Sequence, residues 1–332
     1  MVTLKELANL LEVSVSTVSK ALNDSAEIGD ATKVRVKKLA KELNYQPNRI
    51  AQQLKSNKTR TIGVLVPSIT NPFFADVLHA IERKASEENY DIIVSITDED
   101  LNKEGRSLRL LANGSVDGFI IAVSRESQVE ESYEHFMEII KKDIPVVLFD
   151  RVIKEISCNK VVVDDLKSAY EATQHLINHD QRKHIVLLSN IEELSVGKLR
   201  IEGYQKAMTE AGLKPNIVKL ADVADPEKSV FNYLKENKKI DGIFSIDHIT
   251  GIIAINMLKK LDRPVPKNVS VIGFGNEESQ LVSSPKISVI NQNTAEIGKI
   301  STEILIGTLS ESDISHSTLT IPSDLVLSES TL

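Results

Sequence analysis

The sequence predicts an α/β protein in which a small N-terminal helix-turn-helix head of three helices precedes a core of doubly wound parallel sheets. Three observations support this prediction. Two short helical patterns joined by a tight turn occupy the N-terminus, and short apolar runs alternate with helical patterns from Thr61 onward. The chain also has 332 residues, which is enough for two or more domains at roughly 150 residues each.

The head and the core differ in charge. Residues 1–60 carry 11 Lys or Arg against 6 Asp or Glu (net +5), whereas the remainder carries 29 against 41 (net −12). A basic segment on an acidic protein indicates a polyanionic partner such as nucleic acid. The single cysteine, Cys158, excludes an intramolecular disulfide and a multi-cysteine metal site. Because there is no signal-peptide pattern and no run near the roughly 18 apolar residues of a membrane helix, we expect a soluble, cytoplasmic protein.

Three helices are predicted in the head. The first is predicted to bury one face, which carries Leu4, Leu7, Ala8 and Leu11. The second follows a turn at residues 12–14 and spans Val15–Leu22. Ser14 is placed to cap its N-terminus, and Val18 and Leu22 are predicted to face the interior of the head. The third, from about Ala31 to Asn44, is predicted to bury Val34, Leu39, Ala40 and Leu43.

The second helix presents mainly small hydroxyl-bearing side chains and one cation to solvent: Val15, Ser16, Thr17, Ser19 and Lys20. Such side chains can approach base edges in the major groove, and a valine methyl can contact a thymine methyl. The alternative from periodicity alone is a small structural cap of helices.

Eight apolar runs predict the strands of the core: Thr61–Pro67, Asp91–Ile96, Asp117–Val123, Ile144–Asp150, Lys160–Asp165, His184–Asn190, Asp241–Asp247 and Val269–Gly275. Most are continuous rather than alternating, which is typical of strands buried on both faces of a parallel sheet. The core is long for one sheet, so we expect two lobes. The chain is expected to pass from the first lobe to the second near residue 160, where a new βα series begins at Val161.

Ligands of open parallel sheets bind beyond the carboxyl ends of the strands. The residues that follow the predicted strands are therefore the candidates for a ligand site: Ser68–Phe74, Asp98, Asp150–Arg151, Asp247 and Asn276.

Several runs together carry a family resemblance. The opening VTLKELANLLEVSVSTVSKALNDS, the run NYQPNRIAQQLKSNKTR, and the later NPFF, RIEGYQKAM and VSVIGFGNEE resemble the lac repressor (LacI/GalR) family over essentially the whole chain. The resemblance implies a bacterial transcriptional regulator that acts as a homodimer on a pseudo-palindromic operator. It also implies a core similar to the periplasmic sugar-binding fold, in which three crossovers join the lobes.

The resemblance sets the expected domain boundaries. Residues 1–46 form the DNA-binding domain and residues 47–60 the hinge helix and linker. The N-lobe of the core takes residues 61–160 with 291–322, and the C-lobe takes residues 161–290 with 323–332.

Residues 48–56 are implied to form the hinge helix. A helix of this length lies below the roughly 12–15 residues needed for marginal stability alone, so we expect it to fold only against a partner. In the family the residue at the position of Leu54 inserts into the minor groove at the operator centre. The alternative is a plain interdomain linker with Leu54 docked on the core.

The resemblance implies a set of DNA-binding residues: Thr3, Ser14, Val15, Ser16, Thr17, Ser19, Lys20, Asn23, Tyr45, Asn48, Ala51, Leu54 and Lys55. Some positions depart from the family pattern. Glu12 stands where the family usually has glycine, and a left-handed conformation there costs energy for a residue with a Cβ. Asp24 and Ala26 also replace glycines, and Glu27 adds a further acid.

The implied effector-binding residues are Asn71, Phe73, Asp150, Arg151, Arg200, Asp247 and Asn276. Carboxylates, amides and a guanidinium can bind a polyol while an aromatic ring covers an apolar face, which suits a sugar or sugar derivative. Arg200 could equally bind a carboxylate or phosphate. The alternatives are an ion pair of Arg200 with an acid across the cleft, a core position for Phe73 and helix capping by Asp247. Gly275 stands where the family usually has an aspartate, which removes a common acceptor for sugar hydroxyls.

Enzyme motifs are absent from the sequence: there is no GK[ST] phosphate loop, no G-x-S-x-G elbow and no HExxH helix. His175 and His179 are interpreted as ordinary surface histidines, and we expect no metal and no cofactor. Some family members respond to a phosphorylated carrier protein, and the residues leave that corepressor open. A second hypothesis is a cytoplasmic solute-binding sensor that acts through protein partners.

Overall fold

The computed structural model describes residues 2–45, 58–221, 223–310 and 316–332. It divides into two compact units, residues 1–59, which contain the head, and residues 60–332, the core. Over these described ranges, no helix is both long and apolar enough to span a membrane.

The head contains helices α1 (Leu4–Leu11), α2 (Val15–Leu22) and α3 (Asp30–Glu42). Glu12 ends α1 in the left-handed conformation, with φ of 57°, and the Ser14 side chain caps α2 by accepting the N–H of Thr17 at 3.1 Å. The sequence therefore predicted the helix-turn-helix geometry correctly, including the strained position of Glu12.

The predicted inward face of α3 was wrong in part. Val34 is 65% exposed and Leu43 is 36% exposed, whereas Val36 and Ala40 are buried against α1 and α2. The apolar positions of this lysine-rich helix fit two helical faces, and packing against the other two helices selects the face that carries Val36.

The core holds two six-stranded sheets with helices between the strands. Its strands are β1 (Thr61–Val66), β2 (Asp91–Ile96), β3 (Gly118–Ile121), β4 (Val146–Phe149), β5 (Asn159–Val163), β6 (Ile185–Ser189), β7 (Ile217–Lys219), β8 (Gly242–Ser245), β9 (Ser270–Phe274), β10 (Ser288–Asn291), β11 (Thr318–Ile321) and β12 (Asp324–Val326). Its helices are α4 (Pro72–Glu87), α5 (Leu101–Leu111), α6 (Arg125–Val129), α7 (Glu134–Ile140), α8 (Asp165–Asn178), α9 (Ser195–Glu210), α10 (Pro226–Glu236), α11 (Thr250–Lys260), α12 (Glu277–Leu281) and α13 (Thr294–Thr308).

Each sheet belongs to one lobe. The first has the order β11-β5-β4-β3-β1-β2 and is parallel throughout, and the second has the order β12-β10-β9-β8-β6-β7 with β12 alone antiparallel. Strands β1, β3, β4, β6, β8 and β9 are buried along their whole length, as their apolar runs predict. The edge strand β2 is largely exposed instead.

The chain passes between the lobes three times, after β5, after β10 and after β11. The predicted boundary at residue 160 is wrong, because β5 pairs with β4 and β11 in the first sheet and the chain leaves that lobe only after Val163. The apolar run of β5 fits either sheet, and its neighbours in space decide its place. Four strands, β7, β10, β11 and β12, are absent from the eight predicted runs.

Candidate functional site

A small cavity lies between the lobes, beyond the carboxyl ends of strands from both sheets. Its volume is about 60 Å³, which is room for only a few water molecules. All seven residues implied for effector binding line it: Asn71, Phe73, Asp150, Arg151, Arg200, Asp247 and Asn276. The other candidates that follow strands do not line the cavity: residues 68–70 lie outside its wall, and Asp98 is paired with Lys103 at 2.5 Å.

Arg200 is fixed by contacts within the second lobe. Its Nε donates to Oδ1 of Asp165 at 2.7 Å, and its Nη1 donates to the carbonyl of Ile246 at 2.8 Å. The guanidinium carbon lies 3.6 Å from the ring centroid of Phe274. Arg200 is therefore ion-paired with an acid of its own lobe rather than with one across the cleft, and this pair orients the guanidinium on the cavity wall.

Two buried carboxyl groups accompany Arg200. Burial raises the pKa of Asp165 from 3.8 to about 6, although the attraction of Arg200 opposes this shift. Burial also raises the pKa of Asp150, against the attraction of Arg200 and Arg151. Because desolvation disfavours the charged form, both carboxyl groups hold a proton more readily than exposed aspartates do.

Arg151 is oriented from the first lobe. Its Nη1 donates to both carboxylate oxygens of Glu99, at 2.8 and 2.6 Å, and its guanidinium carbon lies 5.2 Å from the ring centroid of Phe74. Glu99 also accepts the backbone N–H of Arg125 at 2.7 Å. Glu99 therefore connects a cavity residue with the start of α6.

Helix α6 makes direct contacts with the second lobe. Arg125 donates to the carbonyl of Asn190 at 2.7 Å and to the carboxylate of Glu193 at 3.3 Å. The Gln128 amide donates to the Ser195 hydroxyl at 3.0 Å and accepts the Ser195 N–H at 3.2 Å. These four polar contacts join the lobes beside the cavity.

Three cavity residues also cap helices. The side chains of Asn71, Asp247 and Asn276 accept backbone N–H groups from the first turns of α4, α11 and α12, at 3.1, 2.8 and 3.1 Å. The capping role considered for Asp247 is thus present together with its place on the wall. The Asn276 amide also donates to the Asp76 carboxylate of the first lobe at 2.8 Å.

The sequence did not indicate several other residues of the cavity wall. They include Ile191, Val196, His248, Phe274 and Gln292. Gln292 is 7% exposed, and within the described residues its Nε2 has no hydrogen-bond partner. It follows β10, and recognising that short strand would have identified Gln292 by the same rule that identified Asn276.

The head exposes one face of α2. Val15, Ser16 and Lys20 on this face are exposed, while Thr17 and Ser19 are partly buried. Thr3 caps α1 in a reciprocal arrangement with Glu6, Asn23 ends α2, and Tyr45 packs on the head core. Lys20 is paired with Glu27. The other implied DNA-binding residues, Asn48, Ala51, Leu54 and Lys55, lie with the hinge helix outside the described residues.

Of the two histidines interpreted as surface residues, His179 is exposed as predicted, whereas His175 differs from the prediction. His175 is largely buried rather than on the surface, its ring stacks on that of His179 at 4.7 Å, and its Nε2 lies 3.5 Å from Asp180 Oδ1. No group of three metal-ligating side chains with suitable geometry occurs in the part of the chain that the structure describes. Burial raises the pKa of the Cys158 thiol to about 11, which keeps it protonated and unreactive.

Comparison with known proteins decides the family. Residues 3–48 match the model of bacterial regulatory proteins of the lacI family, and residues 59–329 match the model of periplasmic binding proteins and the sugar-binding domain of the LacI family. The HTH-type transcriptional repressor PurR of Aliivibrio fischeri is 32% identical over 321 residues, covering 94% of this chain and 93% of that protein. The chain belongs to the LacI family.

Other LacI-family proteins match along their whole length. The HTH-type transcriptional regulator RegA of Clostridium saccharobutylicum is 31% identical, with 99% of each chain covered. A structure of the lac repressor dimer bound to operator and the anti-inducer ONPF shares the fold with a TM-score of 0.87, over 100% of this chain and 99% of that one, at 21% identity. As a LacI-family member, the protein is a DNA-binding transcriptional regulator with a ligand-binding core.

Proposed function

We propose that this chain is a transcriptional repressor that binds a pseudo-palindromic operator as a homodimer and responds to a small effector in the interlobe cavity. The observation that carries the proposal is the convergence of all seven candidate effector residues on one cavity between two lobes. An effector that binds between the lobes changes their spacing, and this change alters the affinity of the dimer for DNA.

The cavity chemistry supports a polyhydroxylated effector. Phe73 and Phe274 offer apolar faces, while Asp150, Arg200 and Gln292 offer an acceptor and donors around them. Few well-placed polar groups on an apolar wall are typical of a specific small-molecule site. At about 60 Å³ the cavity is too small for a drug-sized ligand, so the effector is small or the lobes separate to admit it.

Two exposed surfaces support a dimer. The edge strand β2 presents Ile93 and Val94, each 39% exposed, beside an unpaired strand edge in the first lobe. In the second lobe, Leu281 and Val282 at the end of α12 are 75% and 71% exposed. Large exposed apolar side chains and free strand edges are typical of surfaces that a second subunit covers.

The test is selection of DNA from a random pool by the purified full-length protein at several salt concentrations. We expect enrichment of a palindrome, an affinity that falls steeply with salt, and a dimer by sedimentation. If no sequence is enriched, operator binding is refuted and the solute-binding sensor becomes the better hypothesis. Thermal-shift measurements with sugars, phosphorylated sugars and purine bases then identify the effector class.

Leu54→Ala tests the hinge. We expect it to weaken binding to the selected palindrome far more than binding to random DNA, because minor-groove insertion operates only on the specific, bent site. Equal losses on both DNAs would exclude the insertion and support the plain linker.

A further inference from the structure

An ion pair occupies the exposed face of α2 near its C-terminal end. The Lys20 ammonium contacts the carboxylate of Glu27, which lies in the loop between α2 and α3. A second carboxylate of the same loop, Asp24, pairs with Lys37 on α3 at 2.6 Å. The loop therefore directs one acid toward the exposed face of α2 and the other toward α3.

Stability does not account for the Lys20–Glu27 pair. The two side chains are 46% and 68% exposed, and an exposed pair of this kind contributes roughly 0–1 kcal/mol. A carboxylate on a surface that meets phosphates also opposes binding electrostatically. Glu27 therefore weakens non-specific attraction to DNA, so neither protein stability nor DNA affinity explains why an acid stands beside Lys20.

The ion pair with Glu27 restricts the position of the Lys20 ammonium. A lysine ammonium sits on a flexible four-carbon stem and behaves as a point charge, so by itself it selects bases poorly. When the surface is covered by DNA, water is excluded and the attraction between the two groups strengthens. The ammonium is then held at one place on the exposed face of α2, where it can donate to the O6 and N7 acceptors of a guanine.

We propose that Glu27 is a positioning residue of operator recognition, which holds Lys20 against a guanine in each half-site and thereby sets the base preference at that position. This proposal rests on the proposed role of α2 in contacting base edges. It identifies an acidic residue outside the recognition helix as a determinant of sequence specificity.

The experiment compares Glu27→Gln with the matched control Asp24→Asn in the full-length protein, by selection from a random DNA pool followed by affinity measurement. Both variants remove one negative charge from the same loop, and asparagine tolerates the left-handed conformation of Asp24, with φ of 54°. We expect Glu27→Gln to raise affinity for random DNA and to lose about tenfold of its discrimination at one base pair per half-site. Asp24→Asn should raise affinity for all sequences alike and keep the wild-type motif.

Lys20→Gln completes the test. It should abolish preference at the same base pair, and Lys20→Gln combined with Glu27→Gln should discriminate no worse than Lys20→Gln alone, because Glu27 acts through Lys20. The proposal is overturned if Glu27→Gln selects the wild-type motif with unchanged discrimination, or if Lys20→Gln lowers affinity for all sequences equally. If the wild-type protein enriches no motif, the proposed operator binding itself fails, which is a distinguishable result.

Discussion

Replacing Arg200 with methionine is expected to destabilise the core through the charge that it leaves behind. Arg200 is the ion-pair partner of Asp165 and also lowers the pKa of Asp150, and all three side chains are buried. Removing one partner of a buried pair costs about 3–5 kcal/mol, because the other charge remains without compensation. For a unit of this size that corresponds to a decrease of about 6–20 °C in the melting temperature.

The pH dependence separates this mechanism from a loss of packing. The folded-state pKa of Asp165, about 6, lies above its ordinary 3.8, so the folded core binds this proton more strongly than the unfolded chain. Protonation of Asp165 therefore stabilises the folded core. This stabilisation is complete when the pH is below the pKa of Asp165 in the unfolded chain, and it is lost as the pH rises through the pKa of Asp165 in the folded core. Without Arg200 the pKa rises further, so the deficit of Arg200→Met should be largest above neutral pH and smaller near about pH 5.

Calorimetric melting at acidic and mildly alkaline pH measures the effect, and the double variant Arg200→Met/Asp165→Asn is the control. Neutralising Asp165 removes the uncompensated charge, so the double variant should recover more than half of the loss at alkaline pH. A deficit that is independent of pH, or a double variant as unstable as Arg200→Met, would refute the electrostatic account.

Three further predictions concern the core. Gly203→Ala in α9 would place a Cβ 2.2 Å from a backbone oxygen of α8, so it should lower the free energy of unfolding by about 1–3 kcal/mol, as measured by urea titration. The control is Gly307→Ala in α13, where a Cβ would meet no other described part of the structure within 4 Å, and this variant should not lower the free energy of unfolding. Gln292→Leu should abolish the thermal shift by the effector without lowering the melting temperature of the free protein, because this amide has no partner among the described residues; a destabilised variant would contradict this. Arg125→Gln removes contacts between the lobes and should increase the radius of gyration in small-angle scattering, whereas Arg109→Gln, which affects a pair inside one lobe, should leave it unchanged.

Local features of this fold could be predicted from the sequence, and pairings between distant residues could not. The bounds of α2 and its Ser14 cap depend on a few neighbouring residues, so the pattern sufficed, whereas the left-handed conformation of Glu12 was indicated by the glycine that the family usually has there. The place of β5 depends on which strands lie beside it, and an apolar run alone carries no such information.

The candidate site shows the same division. Six of the seven implied cavity residues lie together because strand ends in this fold converge, whereas Arg200 lies on α9 and was implied only by the family resemblance. Gln292 was missed because β10 was not among the predicted runs, and the contacts of Arg200 with Asp165 and Phe274 depend on elements far apart in sequence.

The three passages between the lobes also determine the order in which the protein is completed during synthesis. The first lobe closes only when Thr318–Ile321 pair with β5, so it stays unfinished until almost the entire chain has left the ribosome. The head ends near residue 45 and can fold much earlier; at roughly 5–20 residues per second it precedes a complete core by about 15–60 s. With dimerisation through the core as proposed, each nascent head contacts DNA only as a single subunit, and a prematurely terminated chain yields a head that no effector controls.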